Sequence, residues 1–314
     1  MMRLRKFFFG LSPEEASFAR RGFRVAETGA QERLEKIGQT FIKGYNAALE
    51  NDLPSQLAPR LNAIENELRG FAFEGAAMAL TLLDCVSLGK GNRLRDFLTG
   101  AGKAHLYMAH VGAGWALARL HRRAQSFLAR LDPLLGWLVI DGYGFHEGYF
   151  HWRRCFEDRR VPRHLSGYAR RAFDQGLGRS LWFVSCADII RISNIIYTFP
   201  KQRQPDLWSG IGLASAYAGG VSRADLENLI VAAHPFASQL AQGAAFAAKT
   251  RQRAANPAPH TELACNVLCG VSAAAAACIT DLALHYVSPA VKQTDYEDWR
   301  QRIQAYLAKE PILI

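Results

Sequence analysis

Apolar positions recur at helical spacing along most of the chain. Between about Thr28 and Asn51, Leu34, Ile37, Phe41, Tyr45 and Leu49 form the stripe that one helix face buries. No convincing run alternates apolar and polar residues as a half-buried strand does, so the pattern predicts an all-α chain. Start signals point the same way. Ser12, Pro13 and Glu15 read as an N-cap, a first-position proline and a reaching carboxylate. Asp132 before Pro133, and Ser222 three residues ahead of Asp225, read as two further starts. Near the end, Asp295 to Lys309 reads as a capping amphipathic helix with Trp299, Ile303 and Leu307 inward.

A longer period is laid over the helical one. Glycine followed two residues later by glycine or alanine recurs at Gly75, Gly112, Gly142, Gly176, Gly210 and Gly243, at spacings of 37, 30, 34, 34 and 33 residues. A beat of roughly 34 residues is the length of two helices, a turn and a linker. The stretch from Pro205 to Pro235 shows one unit: Trp208, Gly212 and Tyr217 on a first helix, a break at Gly219 and Gly220, and Ser222 to Ala233 as the second. The expected fold is a right-handed α-α superhelix of tetratricopeptide-like helical hairpins, a single helical-repeat domain over 28–314 behind a basic and aromatic N-terminal segment, 1–27. Trp152 to Ser166, with its arginines and Pro162, reads as an exposed basic loop, and Asn256 to His260 as a linker between helices. A helical glycine costs about 1 kcal/mol relative to alanine. Its repetition therefore implies a gain, either from nesting of neighbouring helices or from close approach of a ligand.

The residue before the first glycine is polar in five of the six units: Glu74, Asp141, Gln175, Ser209 and Gln242, with Val111 departing. If the first helices line a concave face, Glu74, His110, Asp141, Gln175, Ser209 and Gln242 form a polar spine on it. Trp115, Tyr143, Trp182 and Trp208 would alternate with that spine and hold a long unsaturated or planar ligand. In an ordinary solenoid the same rings are core. The densest polar cluster runs from Asp141 to His151. His151 follows His146 by five positions, about 140° further round a helix, so the pair does not make a zincin site. Asp141, His146 and Glu147 read either as a proton-handling group or as a satisfied buried network. A second cluster joins Asp174 to Arg179, with a local ion pair as its simpler reading. The candidate catalytic residues are therefore Glu74, Asp141, His146, Glu147 and Asp174. The candidate ligand-binding residues are His110, Trp115, Tyr143, Gln175, Arg179, Trp182, Trp208 and Gln242. No metal site is expected.

Composition narrows the classes. With 314 residues, 49% hydrophobic and 21% charged, the chain reads as folded and globular rather than disordered or fibrous. The net charge of +10 permits nucleic acid, anionic lipid or an acidic partner, but the basic residues belong to no nucleic-acid module. The six cysteines are scattered, which fits reduced thiols in a cytoplasmic protein. Cys265 and Cys269 stand four apart, without further ligands at metal spacing. No stretch reaches the roughly 20 apolar residues of a membrane span. Arg3, Arg5 and Lys6 precede Phe7, Phe8 and Phe9, too short a run for a signal-peptide core. That segment would either dip into a membrane interface or a partner's groove, or pack on itself. The paired glycines complete neither a dinucleotide fingerprint nor a phosphate loop, and no nucleophile elbow occurs, so a cofactor stays unknown.

The strings FAFEGAAMAL, HLYMAHVGAGWALARL, DPLLGWLVIDGYGFHEGYF, FDQGLGRSLWFV, DLWSGIGLASAYAGG and AQGAAFAA closely resemble the bacterial enediyne-cassette family of unknown function that includes the UnbL-type protein. The resemblance runs from about Arg21 to Arg302. It implies a role in maturing the linear polyene of an iterative polyketide synthase. The partners implied are an UnbV-type protein and an UnbU-type membrane protein that looks like an electron-transfer subunit. No catalytic residue is carried over from it. The expected function is thus an accessory factor in enediyne or polyyne biosynthesis, cytoplasmic, with arginine-rich surfaces turned to the membrane partner or to anionic lipid. The alternative is a non-catalytic helical scaffold that assembles the same partners. A terpene-type cyclase is a weaker third, because its aspartate-rich motif is missing.

Overall fold

A computed structural model describes residues 2–25, 27–87, 91–284 and 295–308; the Arg3 side chain and Lys309 lie outside the described residues. Every regular element among them is helical. Seven helices form the body: Thr28–Glu50, Arg69–Val86, Leu106–Arg119, Trp137–Phe150, Tyr168–Val184, Gln204–Ala218 and Ala237–Arg253. Each packs on the next in chain order. The stripe from Leu34 to Leu49 is buried in the first of them, as its spacing predicts.

The glycine beat is the packing code of this stack. A Cβ on Gly75 would collide with the Phe41 carbonyl, on Gly112 with that of Glu74, on Gly142 with Val111, on Gly176 with Asp141, on Gly210 with Gln175 and on Gly243 with Ser209. The second glycines face the helix that follows: Gly114 meets the carbonyl of Val139, Gly144 that of Phe173, Gly178 that of Leu207 and Gly212 that of Leu240. The third to sixth of these helices are thus notched twice, once for either neighbour, while the second and seventh have alanine, Ala77 and Ala245, at the second place, and backbones approach as closely as they do because little or no side chain intervenes. Nesting accounts for every paired glycine. No ligand is required to explain them.

The connecting layer is uneven. Pro54–Asn62, Arg93–Thr99 and Ala124–Phe127 are short, and a π-turn at Arg153–Glu157 stands where the fourth unit would have its second helix. In the C-terminal half, Ile189–Tyr197, Arg223–Ala233 and Pro259–Leu268 pack on one another as a continuous outer layer. Arg223–Ala233 starts on the Ser222/Asp225 capping box anticipated from the sequence. Gly219 and Gly220, at φ +68° and +101°, make the preceding break. The outermost helix, Asp295–Ala308, buries Trp299 and Ile303 and leaves Leu307 half-buried.

Two start signals turn out differently. Ser12 does cap, accepting from the Glu14 amide, but it opens only a four-residue 3-10 turn, Pro13–Ala16. The Glu15 carboxylate is drawn to Arg20 and Arg21 instead of back to the cap. Asp132 accepts from the amides of Leu134 and Leu135 at 2.9 and 2.7 Å and closes a turn, and the helix starts at Trp137.

The stack also meets itself. Arg33 of the first helix donates to the Ala218 carbonyl at the end of the sixth (2.5 Å), Phe71 of the second lies edge-on to Tyr217 (5.1 Å), and Arg251 of the seventh donates to the Glu67 carbonyl (2.6 Å). Asn66 and Asn256 complete the seam. The inner faces of the first six helices consequently surround a space.

Candidate functional site

That space is a cavity of about 280 Å³, with walls contributed by all six helices. Its sides are aromatic. Trp115 lies 4.5 Å from Phe41 and 5.0 Å from Phe145, ring centre to ring centre, with tilts of 33° and 31°. Phe145 in turn stacks on Tyr149 (6.1 Å, 17°). These rings reach the cavity because each occupies the inward stripe of its helix while the notching glycines hold the helices together. Glu74, Phe71, Tyr217 and Arg179 line its inner end, where every side chain is buried. Leu11, Glu15, Arg119, His121 and His151 line the other, where His121 is exposed and the rest are partly so.

Glu74 makes no hydrogen bond of ordinary geometry, although the Trp115 indole N–H is placed to act on it. Burial pushes its carboxyl up to about 8, against the pull of Arg179 and with a push from Asp141. Glu74 is therefore a neutral acid at pH 7. Arg179 does not hold it ionised because that guanidinium is committed to Asp141 in a buried ion pair. Gln175 donates to the other Asp141 oxygen (2.9 Å). His146 lines the cavity, with Nδ1 3.5 Å from Glu147. Burial holds the His146 imidazole below its ordinary pKa in spite of Glu147. Burial would raise Glu147, but His146, His151 and Arg154 outweigh it and hold that carboxyl low. A neutral acid and a neutral base thus share one apolar cavity, the arrangement needed to give and take protons without water.

The sequence candidates divide. Glu74, His146, Trp115 and Arg179 line the cavity; Asp141, Gln175 and Glu147 stand directly behind them. Asp174 is elsewhere. Its carboxylate pairs with Arg203 (2.8 and 2.5 Å), burial still pushing it up to about 6, and Arg179 belongs to Asp141, so the expected local pair does not form. The Asp141, His146 and Glu147 group likewise separates into two partnerships. Tyr143 faces His164 (5.6 Å). Trp182 donates to the Gly219 carbonyl (3.0 Å) and pins the sixth helix, while Trp208 is fully buried near Tyr197. His110 folds onto the Leu106 carbonyl (2.8 Å). Gln242 accepts from Ser209 (2.9 Å) and Arg300 (3.1 Å). None of these five is in the cavity wall.

The cavity also uses residues that sequence reasoning passed over. Arg119, His121 and His151 stand at helix ends, and Tyr217 on the far side of the seam. The signal that would have found the first three is their place two turns or more beyond the first glycine of their units, Arg119 by seven positions and His121 and His151 by nine. The cysteines take no part. Cys265 and Cys269 donate to the Ala244 and Ala241 carbonyls, and among the described residues no group of three or more His, Cys, Asp or Glu is arranged to hold a metal. No single described helix is long and apolar enough to cross a membrane.

No curated protein and no solved structure matches the chain. One family model does, over residues 1–307, so that the protein belongs to the family described as "Protein of unknown function (DUF1702)".

Proposed function

We propose that the protein is an accessory factor in enediyne or polyyne biosynthesis that binds a linear conjugated polyketide chain in the aromatic cavity. In this reading the Phe41, Trp115 and Phe145 rings lie against the flat face of the polyene, and Glu74 and His146 exchange protons with it while redox equivalents come from the partner proteins. The fold-level counterpart is a right-handed, tetratricopeptide-like superhelix whose inner wall carries the site. UnbU-type and UnbV-type proteins are the partners. The observation that carries the proposal is the buried Glu74 carboxyl at the end of a cavity walled by tilted rings. A cavity of this size and lining falls near the lower end for small-molecule sites, about 300–1,000 Å³.

The test is genetic and chemical. Deleting the gene from its host should make a linear polyene accumulate, wild-type copy should restore the downstream product, and a Glu74→Gln copy should not. Normal product titre in the deletion strain, or full complementation by Glu74→Gln, defeats the proton-handling reading. The scaffold alternative draws on Phe7 and Phe8, which are 81% and 68% exposed on a helix held down by Arg5–Asp52 and Lys6–Glu50 pairs. Co-purification of the partners that is lost on Phe7→Ser and Phe8→Ser substitution, with no polyene bound by the pure protein, favours it.

A further inference from the structure

The cavity has two cations, and they are not equivalent. Arg179, at the inner end, is neutralised by Asp141. Arg119, at the outer end, lies over the Tyr45 ring (5.7 Å) and donates to neutral oxygens, Tyr45 Oη at 3.3 Å and the Phe9 carbonyl at 3.4 Å. Among the described residues it has no ion pair. The carboxylate that shares this end, Glu15, is engaged by Arg20 and Arg21. His121 and His151 line the same rim, and both Arg119 and His151 lie close enough to His146 to oppose its protonation. At the inner end the picture reverses: the acid lining it is Glu74, and its surroundings are apolar or, as with Asp141 and Arg179, paired with each other. The cavity therefore has a positive rim and an uncharged depth.

We infer that the cavity takes an amphipathic ligand, a linear chain ending in a carboxylate, with the carboxylate on Arg119 between His121 and His151 and the chain running inward past Trp115 toward Glu74. The inference rests on the polyene reading for the chain, but adds its polarity and direction: the ligand enters as a free acid, tail first. An ion pair at a half-open rim, made to a guanidinium that has no other anion, is where a carboxylate gains most and loses least hydration.

The experiment is a fluorescence titration with cis-parinaric acid, a conjugated tetraenoic acid, and with its methyl ester. For the wild-type protein the acid should bind about tenfold more tightly than the ester, the worth of one charge-assisted contact. Arg119→Gln should erase that preference by weakening the acid alone, and Arg119→Lys should restore part of it. Equal affinity for acid and ester, which needs no variant, overturns the inference and leaves the polyene reading standing. Full displacement by stearic acid with the same Arg119 dependence upholds the inference and removes the selectivity for a conjugated chain. Absence of binding by either probe overturns both.

Discussion

The polar spine has two ends with opposite fates. On the pocket side Glu74 is buried without a hydrogen bond of ordinary geometry, next to an Asp141–Arg179 pair that is already satisfied. On the far side Ser209 and Gln242 occupy the same place in their units, yet Arg300 of the last helix reaches in and seals them. Its guanidinium bonds Gln242 (3.1 Å), Asp206 (2.8 Å), Tyr168 (3.1 Å) and Glu297 (3.2 Å), and Arg171 closes the cluster from outside. The same sequence rule thus yields a candidate site in one half and a locked network in the other. What decides is whether a helix from elsewhere supplies the missing partners. Gln242 Nε2 and Arg300 Nη2 stay without partners even there, so what sets the pocket side apart is that the Glu74 carboxyl lines an open cavity instead of meeting a helix.

The largest expected effect breaks the sealed side. Arg300→Met should cost about 3–5 kcal/mol, since it strands Asp206, which is 1% exposed, with only Arg171 to answer it. Urea denaturation of the variant measures this. Adding Asp206→Asn should recover much of the loss, because the stranded charge goes with it. A double variant as unstable as the single one would mean that Arg300 matters for packing and not for charge.

The next effect belongs to the pocket side and depends on pH. Glu74 keeps its proton in the folded state up to about 8, whereas the unfolded chain releases it near 4.5. Between those values the unfolded state binds fewer protons, so this group makes stability fall as pH rises. At about 1.4 kcal/mol per pKa unit the loss amounts to a few kcal/mol. Glu74→Gln should therefore gain on wild type steadily from pH 5 to pH 8 in thermal melts. His105 and His260 act in the other direction. Burial lowers both to about 4, so their contribution is full above about 6.5 and is lost as pH falls toward 4. A Glu74→Gln advantage that does not change with pH would show that the acid is ionised in place.

Between the two halves stands Gly176, whose Cβ would strike the Asp141 carbonyl. Gly176→Ala should cost about 1–3 kcal/mol by prising the fourth and fifth helices apart. Gly29→Ala, in open space on a helix, should be neutral or gain up to about 1 kcal/mol. Equal effects at the two positions would remove nesting as the reason for the repeat.

These contrasts also mark what was legible in the sequence. Helical class and the polar residue ahead of a small pair are local patterns, and the glycine beat needs only a comparison of successive units. The seam was not. Arg33 and Ala218 are 185 positions apart, and Arg300 and Asp206 are 94 apart. No periodicity encodes such pairings, because they arise only when the stack has curved far enough to meet itself. For the same reason Gln242, one position ahead of its glycine like Glu74, looked equivalent to it, and only the curvature gives it to the last helix. Asp174 and Trp208 stand two positions ahead of their glycines and Tyr143 one behind, so helical phase already sets them apart from Glu74 and from Trp115, which follows its glycine by three.

The smallest effect tests whether the sealed side is as redundant as its contacts imply. Ser209 donates to Gln242 Oε1 at 2.9 Å, but that oxygen also accepts from Arg300. Ser209→Ala removes one donor and leaves the acceptor satisfied, so the expected cost is only about 0.5–1.5 kcal/mol, with no orphaned group left behind. The same substitution in an Arg300→Met background should cost more than it does alone, because Gln242 then loses its last partner. Strict additivity in that cycle would mean that Ser209 and Arg300 do not share Gln242 in solution, and the seal would be a set of separate contacts rather than a network.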